Sequence, residues 1–171
     1  MPGYSFAAPW PWLITPEKYR TDSLLTENCC ILRGEDYFIR GCLEIPVHGE
    51  DEPFIWGVWV SLSRERFKRE KRLADDPKRV EEPPYVGWFC SRVPIYPDTL
   101  LLKARVHCRP VGTRPFIELQ PTDHLLAVEQ RSGISVQRVR EIFELMQEKW
   151  WHPEWDAKGL YGAAVEDSQP N

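Results

Sequence analysis

The 171-residue chain lacks most of the features that announce a function. No apolar run approaches the roughly 18 residues that a membrane-spanning helix needs. The opening Met1-Pro-Gly-Tyr-Ser-Phe6 has neither a basic stretch nor a long apolar one, so no secretory signal is expected. Cysteine is sparse and odd in number: Cys29, Cys30, Cys42, Cys90 and Cys108, with no C-x-x-C spacing. That usage points to a reduced cytoplasm rather than a disulfide framework. Cys and His are not clustered at ligand spacing, so neither a metal nor another cofactor is expected. G-x-S-x-G, H-E-x-x-H, the P-loop and G-x-G-x-x-G are all absent. Excess positive charge is missing too: the formal net charge of −4 gives no general attraction for nucleic acid.

What is present is ordinary for a folded domain, with 42% apolar and 28% charged residues. Residues 1–20, rich in Pro and Trp, are expected to be an extended surface arm, because proline blocks regular pairing. Residues 21–151 read as one domain, and 152–171 as a loosely ordered tail. Cys29–Arg33 and Tyr37–Val47, separated by Gly34-Glu35-Asp36, form a predicted hairpin. Phe54–Leu62, aromatic and β-branched, reads as a buried central strand. Ser63 caps a basic helix running to about Ala74, with Glu65 in its first turn. A charged loop then leads to a strand over Tyr85–Val93. Leu100–Arg109 and Phe116–Gln120 make a second hairpin around Pro110-Val111-Gly112-Thr113. Thr122 is the expected cap of a short helix from Asp123 to Arg131, ended by Gly133. Ser135 caps a longer one whose Val136, Val139, Ile142, Phe143, Met146 and Trp150 form one apolar stripe. The fold class is therefore α+β: an antiparallel sheet of five or six strands, a basic mid-chain helix, and two C-terminal helices packed on the sheet.

Strand alternation over Leu100–Arg109 puts Lys103, Arg105, His107 and Arg109 on one face. The hairpin register sets Arg105 opposite Glu118, Lys103 opposite Gln120 and His107 opposite Phe116. With Arg114 near the turn, this face could hold an anion or an acidic partner; a solvated outer face is the plainer explanation. Trp56 and Trp59, three apart on one strand, point to opposite sides, so one is expected in the core and the other facing a ligand or partner. Arg64, Arg66, Lys68, Arg69, Lys71 and Arg72 crowd the basic helix and could meet phosphates, although pairs such as Glu65–Arg69 suit a solvated helix. Val128–Ile142 echoes a helix-turn-helix, but Glu129 stands where that motif needs a small residue. Nucleic acid is accordingly disfavoured as a partner.

Two long blocks, Tyr37-Phe-Ile-Arg-Gly-Cys-Leu-Glu-Ile-Pro-Val47 and Trp56-Gly-Val-Trp-Val-Ser-Leu-Ser63, resemble an uncharacterised bacterial family, domain of unknown function 2199. Tyr96-Pro-Asp-Thr-Leu100, Arg114-Pro115, Thr122-Asp-His-Leu125, Gln130 and Gly133-Ile134 extend the likeness from about Ile14 to Met146. The resemblance implies no established activity, cofactor or catalytic residue. Many members carry an early Cys-x-x-Cys-Gly segment, where this chain has Tyr4–Ile14 without cysteine. The family-like polar residues that a simple fold does not need are Arg40, Arg114, Asp123, His124 and Gln130. Arg40, on an apolar strand face, calls for a buried partner; alternatively, Arg40, Arg114 and His124 converge on a pocket for an acidic ligand.

The leading expectation is a cytoplasmic, non-enzymatic binding or interaction module. Its candidate ligand-binding residues are Arg40, Trp56, Trp59, Arg105, His107, Arg114, Asp123, His124 and Gln130, and its partner a small anion or an acidic protein surface. The rivals are a hydrolase-like enzyme using His124 or His107 as base, and nucleic-acid binding through residues 64–72.

Overall fold

Two long strands organise the molecule. In the computed structural model, which describes residues 2–150, β4 (Asp36–Ile45) and β5 (Phe54–Leu62) pair antiparallel along their whole lengths, Tyr37 with Leu62 through Ile45 with Phe54. Each is long enough to carry two neighbours on its other edge. Beside β5 lie β1 (Gly3–Ser5), in parallel, and β6 (Tyr85–Phe89). Beside β4 lie β3 (Cys29–Leu32), which also pairs with β2 (Leu24–Leu25), and β8 (Phe116–Leu119). β7 (Lys103–His107) joins β6 to β8.

The sheet is thus larger than expected and is not simply antiparallel. Among the described residues it has eight strands, of which β5, β6, β7, β8 and β4 close into a mixed five-strand barrel. Closure rests on a short parallel contact, Cys42 against Phe116, with the Cys42 N–H donating to the Pro115 carbonyl at 2.9 Å. Only glycine fits beside it: a Cβ on Gly41 would sit 2.6 Å from the Ile117 side chain and 2.8 Å from the Pro115 carbonyl oxygen. Closing the ring removes edges that an open sheet would expose. Nothing in the alternation of either strand encodes this long-range pairing.

The lead-in is also corrected. Gly3–Ser5 pairs with Ile55–Gly57, Phe6 is buried, and α1 (Trp10–Ile14) takes Pro11 in its first turn, where no intrahelical donor is lost. Proline spacing here permits a short strand, a short helix and, after Pro16, a 3₁₀ segment over Glu17–Tyr19.

The two expected hairpins form, and the second has the predicted register, Arg105 opposite Glu118 and His107 opposite Phe116. The basic helix α2 (Arg64–Arg72) is capped by Ser63, whose hydroxyl accepts from the Arg66 N–H. The charged loop after it contains a single 3₁₀ turn, Pro77–Glu81. α3 (Leu125–Ser132) packs on β4 and β8, and Gly133 ends it at φ 75°. Ser135 caps α4 (Val136–Trp150) by accepting from the Arg138 N–H, and Ile142 and Met146 of its stripe are buried. The side chain of Trp150 and the expected tail 152–171 lie outside the described residues. Among the described residues, no helix is long and apolar enough to cross a membrane.

Candidate functional site

The cationic side chains that converge in this fold do so beside the β7–β8 turn, not on the outward face of the hairpin. A cleft of about 240 Å³ lies between the end of α2 and the turn that carries Gly112, Thr113 and Arg114. Arg40 from β4, Lys71 from α2, Arg79 from the 3₁₀ turn and Arg114 all line it. Glu70 is the acidic side chain in the lining, and it is already engaged: Arg79 Nη2 lies 2.5 Å from Glu70 Oε1 in a pair with both partners about nine-tenths buried. Burying such a pair is costly unless the remaining donors and acceptors are met. Arg79 Nη1 donates to the Ala74 carbonyl at 2.9 Å, and the Cys108 thiol donates to Glu70 Oε2 at 3.3 Å. Arg79 Nε, fully enclosed, meets no acceptor among the described residues.

The other cations are held as well. Arg114 donates through Nε to Asn28 Oδ1 at 3.0 Å and through Nη2 to Glu27 Oε1 at 2.9 Å, tying the turn to the start of β3. Arg40 donates to Ser5 Oγ and, at 3.2 Å, to the Glu27 carbonyl, while its guanidinium lies 5.8 Å from the centre of the Trp59 ring. Lys71 is exposed, and its ammonium stands 3.7 Å from the thiol of Cys29, which also lines the cleft. A second hollow of about 510 Å³ shares Asn28, Gly112, Thr113 and Arg114 with the cleft and adds Tyr4, Ser5 and Arg109. The arrangement therefore offers guanidinium and ammonium donors on several sides of a small space, suited to a carboxylate, sulfate or phosphate group.

The sequence-derived residues divide sharply. Arg40 and Arg114 meet in the cleft, as expected, but His124 does not join them. It caps α3 in place of Thr122: His124 Nδ1 accepts from the Leu126 N–H at 3.2 Å, and Nε2 points at the Pro97 and Asp98 carbonyls at 3.2 and 3.1 Å. Helix α3 starts later than predicted, so Asp123 lies outside it, exposed, and is no first-turn acid. Gln130 is buried and spent on the backbone of β8. Its Oε1 accepts from Leu119 N–H at 2.8 Å and its Nε2 donates to the Ile117 carbonyl at 2.7 Å, so it replaces a neighbouring strand where β4 has ended its contact. Trp56 and Trp59 are both fully buried, so neither indole faces a ligand. Trp59 is covered by the lead-in and donates to the Phe6 carbonyl at 2.8 Å.

Arg105 and His107 stand apart from the cleft on the outward face. Arg105 is exposed, and the carboxylate of Glu118, opposite it in register, lies 3.6 Å from His107 Nε2. Glu129, which counted against a helix-turn-helix, is buried and accepts from the Tyr96 hydroxyl at 2.5 Å and from Arg138 at 2.7 Å.

Sequence reasoning missed Lys71 and Arg79 as site residues. Lys71 was visible as one charge among several on α2, and Arg79 sat in a segment read as loop. Only tertiary packing distinguishes them from their neighbours. The cysteines divide in a similar way. Cys30, adjacent to Cys29 but on the other face, has its thiol pushed up to about 12 by burial and then by the neighbouring Cys29, and burial likewise raises Cys90 and Cys108. Among the described residues, no group of three or more His, Cys, Asp or Glu is placed to hold a metal ion.

No curated protein and no solved structure matches the chain. A family model, described as an uncharacterised protein conserved in bacteria, matches residues 1–134, a stretch that contains every described strand and every cationic residue of the cleft. The chain is a member of that bacterial family, domain of unknown function 2199.

Proposed function

We propose that this protein is a binding module that holds a small anionic ligand in the cleft lined by Arg40, Lys71, Arg79 and Arg114. The observation that carries the reading is their convergence on one small space in a chain whose overall charge is −4. Three come from separate elements and the fourth from a turn, so no local run of basic sequence accounts for their meeting. Three are guanidinium groups, whose planar donors match carboxylate and phosphate oxygens in pairs. The cleft is smaller than the roughly 300–1,000 Å³ typical of drug-sized ligands, so a single anionic group with a short substituent suits it.

Isothermal titration calorimetry with inorganic phosphate and with phenyl phosphate at low ionic strength tests this. Losing one charge-assisted contact costs about 1.5–3 kcal/mol, so Lys71→Ala and Arg114→Ala are each expected to weaken binding about tenfold or more. Absence of heat with both anions, or affinity unchanged in both variants, contradicts the proposal.

A further inference from the structure

The outward face of β6 and β7 has a different chemistry from the cleft. Strand register lays its residues out as a grid. Ser61, Trp88, Lys103 and Gln120 form one row: Trp88 pairs with both Ser61 and Lys103, and the Gln120 N–H donates to the Lys103 carbonyl at 2.9 Å. Val86, Arg105 and Glu118 form the next row. Alternation along β6 buries Tyr85, Gly87 and Phe89 and turns Val86 and Trp88 outward, 53% and 47% exposed. Leu101, just before β7, is 68% exposed. An indole and two branched aliphatic side chains thus occupy solvent positions that polar residues would fill on a face serving solubility alone.

Two cations and one acid stand around them. Lys103 and Arg105 are exposed, and Glu118, the acid opposite Arg105, is directed to His107. Exposed Trp flanked by Arg is the composition found where a few side chains supply most of the energy of a protein interface. We infer that this face docks an acidic segment of another protein, one carrying an apolar side chain to cover Trp88 and carboxylates to meet Lys103 and Arg105. Charge complementarity selects that partner. A nucleic acid fits less well, because it carries a phosphate at every nucleotide, whereas this patch sets two cations around an apolar centre.

The test uses the whole protein and a random poly(Glu,Tyr) copolymer as probe, followed by fluorescence anisotropy, with poly(Glu) and single-stranded oligo(dT) beside it. The copolymer is expected to bind at least tenfold more tightly than poly(Glu). Trp88→Ala and the double variant Lys103→Glu/Arg105→Glu should each weaken it at least tenfold, whereas Lys71→Ala leaves it unchanged. All of these positions are exposed, so the variants should keep the parent circular dichroism. Equal affinity for the two polymers, or binding that survives both variants, overturns the inference. So does tighter binding of oligo(dT), lost in the same variants. Loss of copolymer binding in Lys71→Ala would relocate it to the cleft. Because Lys71 is absent from this face, failure here leaves the anion cleft standing, and the reverse holds.

Discussion

Two positively charged regions of the molecule, the cleft and the outward face of β6 and β7, are built in opposite ways. In the cleft, Arg40, Arg79 and Arg114 are held by hydrogen bonds to Ser5, Glu70, Ala74, Asn28 and Glu27, with one ion pair almost wholly out of water. On the outward face of β6 and β7, Lys103 and Arg105 reach into solvent beside an exposed indole. Held cations are oriented before a ligand arrives, so little ordering entropy is lost on binding, and a small anion benefits most. Exposed cations around an apolar centre gain when a larger surface excludes water from them. Position in the barrel sets the difference. The cleft lies where α2, the lead-in and two turns cover the β4 side of the barrel, whereas no described element covers β6 and β7 on the outside.

The comparison implies that damage to the cleft threatens the fold and damage to the outward face does not. The largest effect is expected from Glu70→Ala, which leaves Arg79 buried without its carboxylate. A loss of about 3–5 kcal/mol of stability should appear in urea unfolding. Gly41→Ala comes next. Its Cβ would press on Ile117 and on the Pro115 carbonyl, next to Arg114, so the barrel loses about 1–3 kcal/mol and the phosphate affinity falls with it.

Acid should expose a smaller effect at the outer tie of α2. Arg69 donates to both carboxylate oxygens of Glu82, at 2.6 and 2.5 Å, and holds its carboxyl down at about 2. A carboxyl depressed below its unfolded value of roughly 4.3 adds stability that is present above that value and is lost as pH falls toward 2. Glu82→Gln should therefore flatten the pH dependence of stability between roughly pH 4.5 and 2 and leave it unchanged near pH 7. The smallest change is expected from Lys103→Glu/Arg105→Glu, within about 0.5 kcal/mol of the parent in the same urea experiment. A large loss there would erase the distinction between the two regions.

Local rules carried the sequence reading some distance. β4 and β5 show in the aromatic and β-branched runs around Phe38 and Trp56, the Ser63 and Ser135 caps in residue type, and the β7–β8 register in the turn at Gly112. The two-residue β2 and three-residue β1 are too short to establish an alternation. Barrel closure depends on Gly41 meeting Pro115 and Ile117, residues far apart in the chain. The site divides along the same line. Arg40 stood out as a cation on an apolar strand and Arg114 as a cation at a turn, but Lys71 and Arg79 acquire their meaning only when α2 folds against β4. His124 and Gln130 looked functional because they are polar residues without an evident local use. Their use is structural, in capping α3 and in bonding the free edge of β8.

The central claim is that held cations in the cleft form the small-anion site. Its most direct test is a nitrogen–proton NMR titration of the intact protein with inorganic phosphate, following backbone amides together with arginine Nε–H groups. The account predicts saturable shifts that concentrate on Arg40, Lys71, Arg79 and Arg114, with Lys103 and Arg105 moving little. Shifts that are non-saturating, or that fall on the exposed cations of α2 and β7 and spare the cleft, would contradict it.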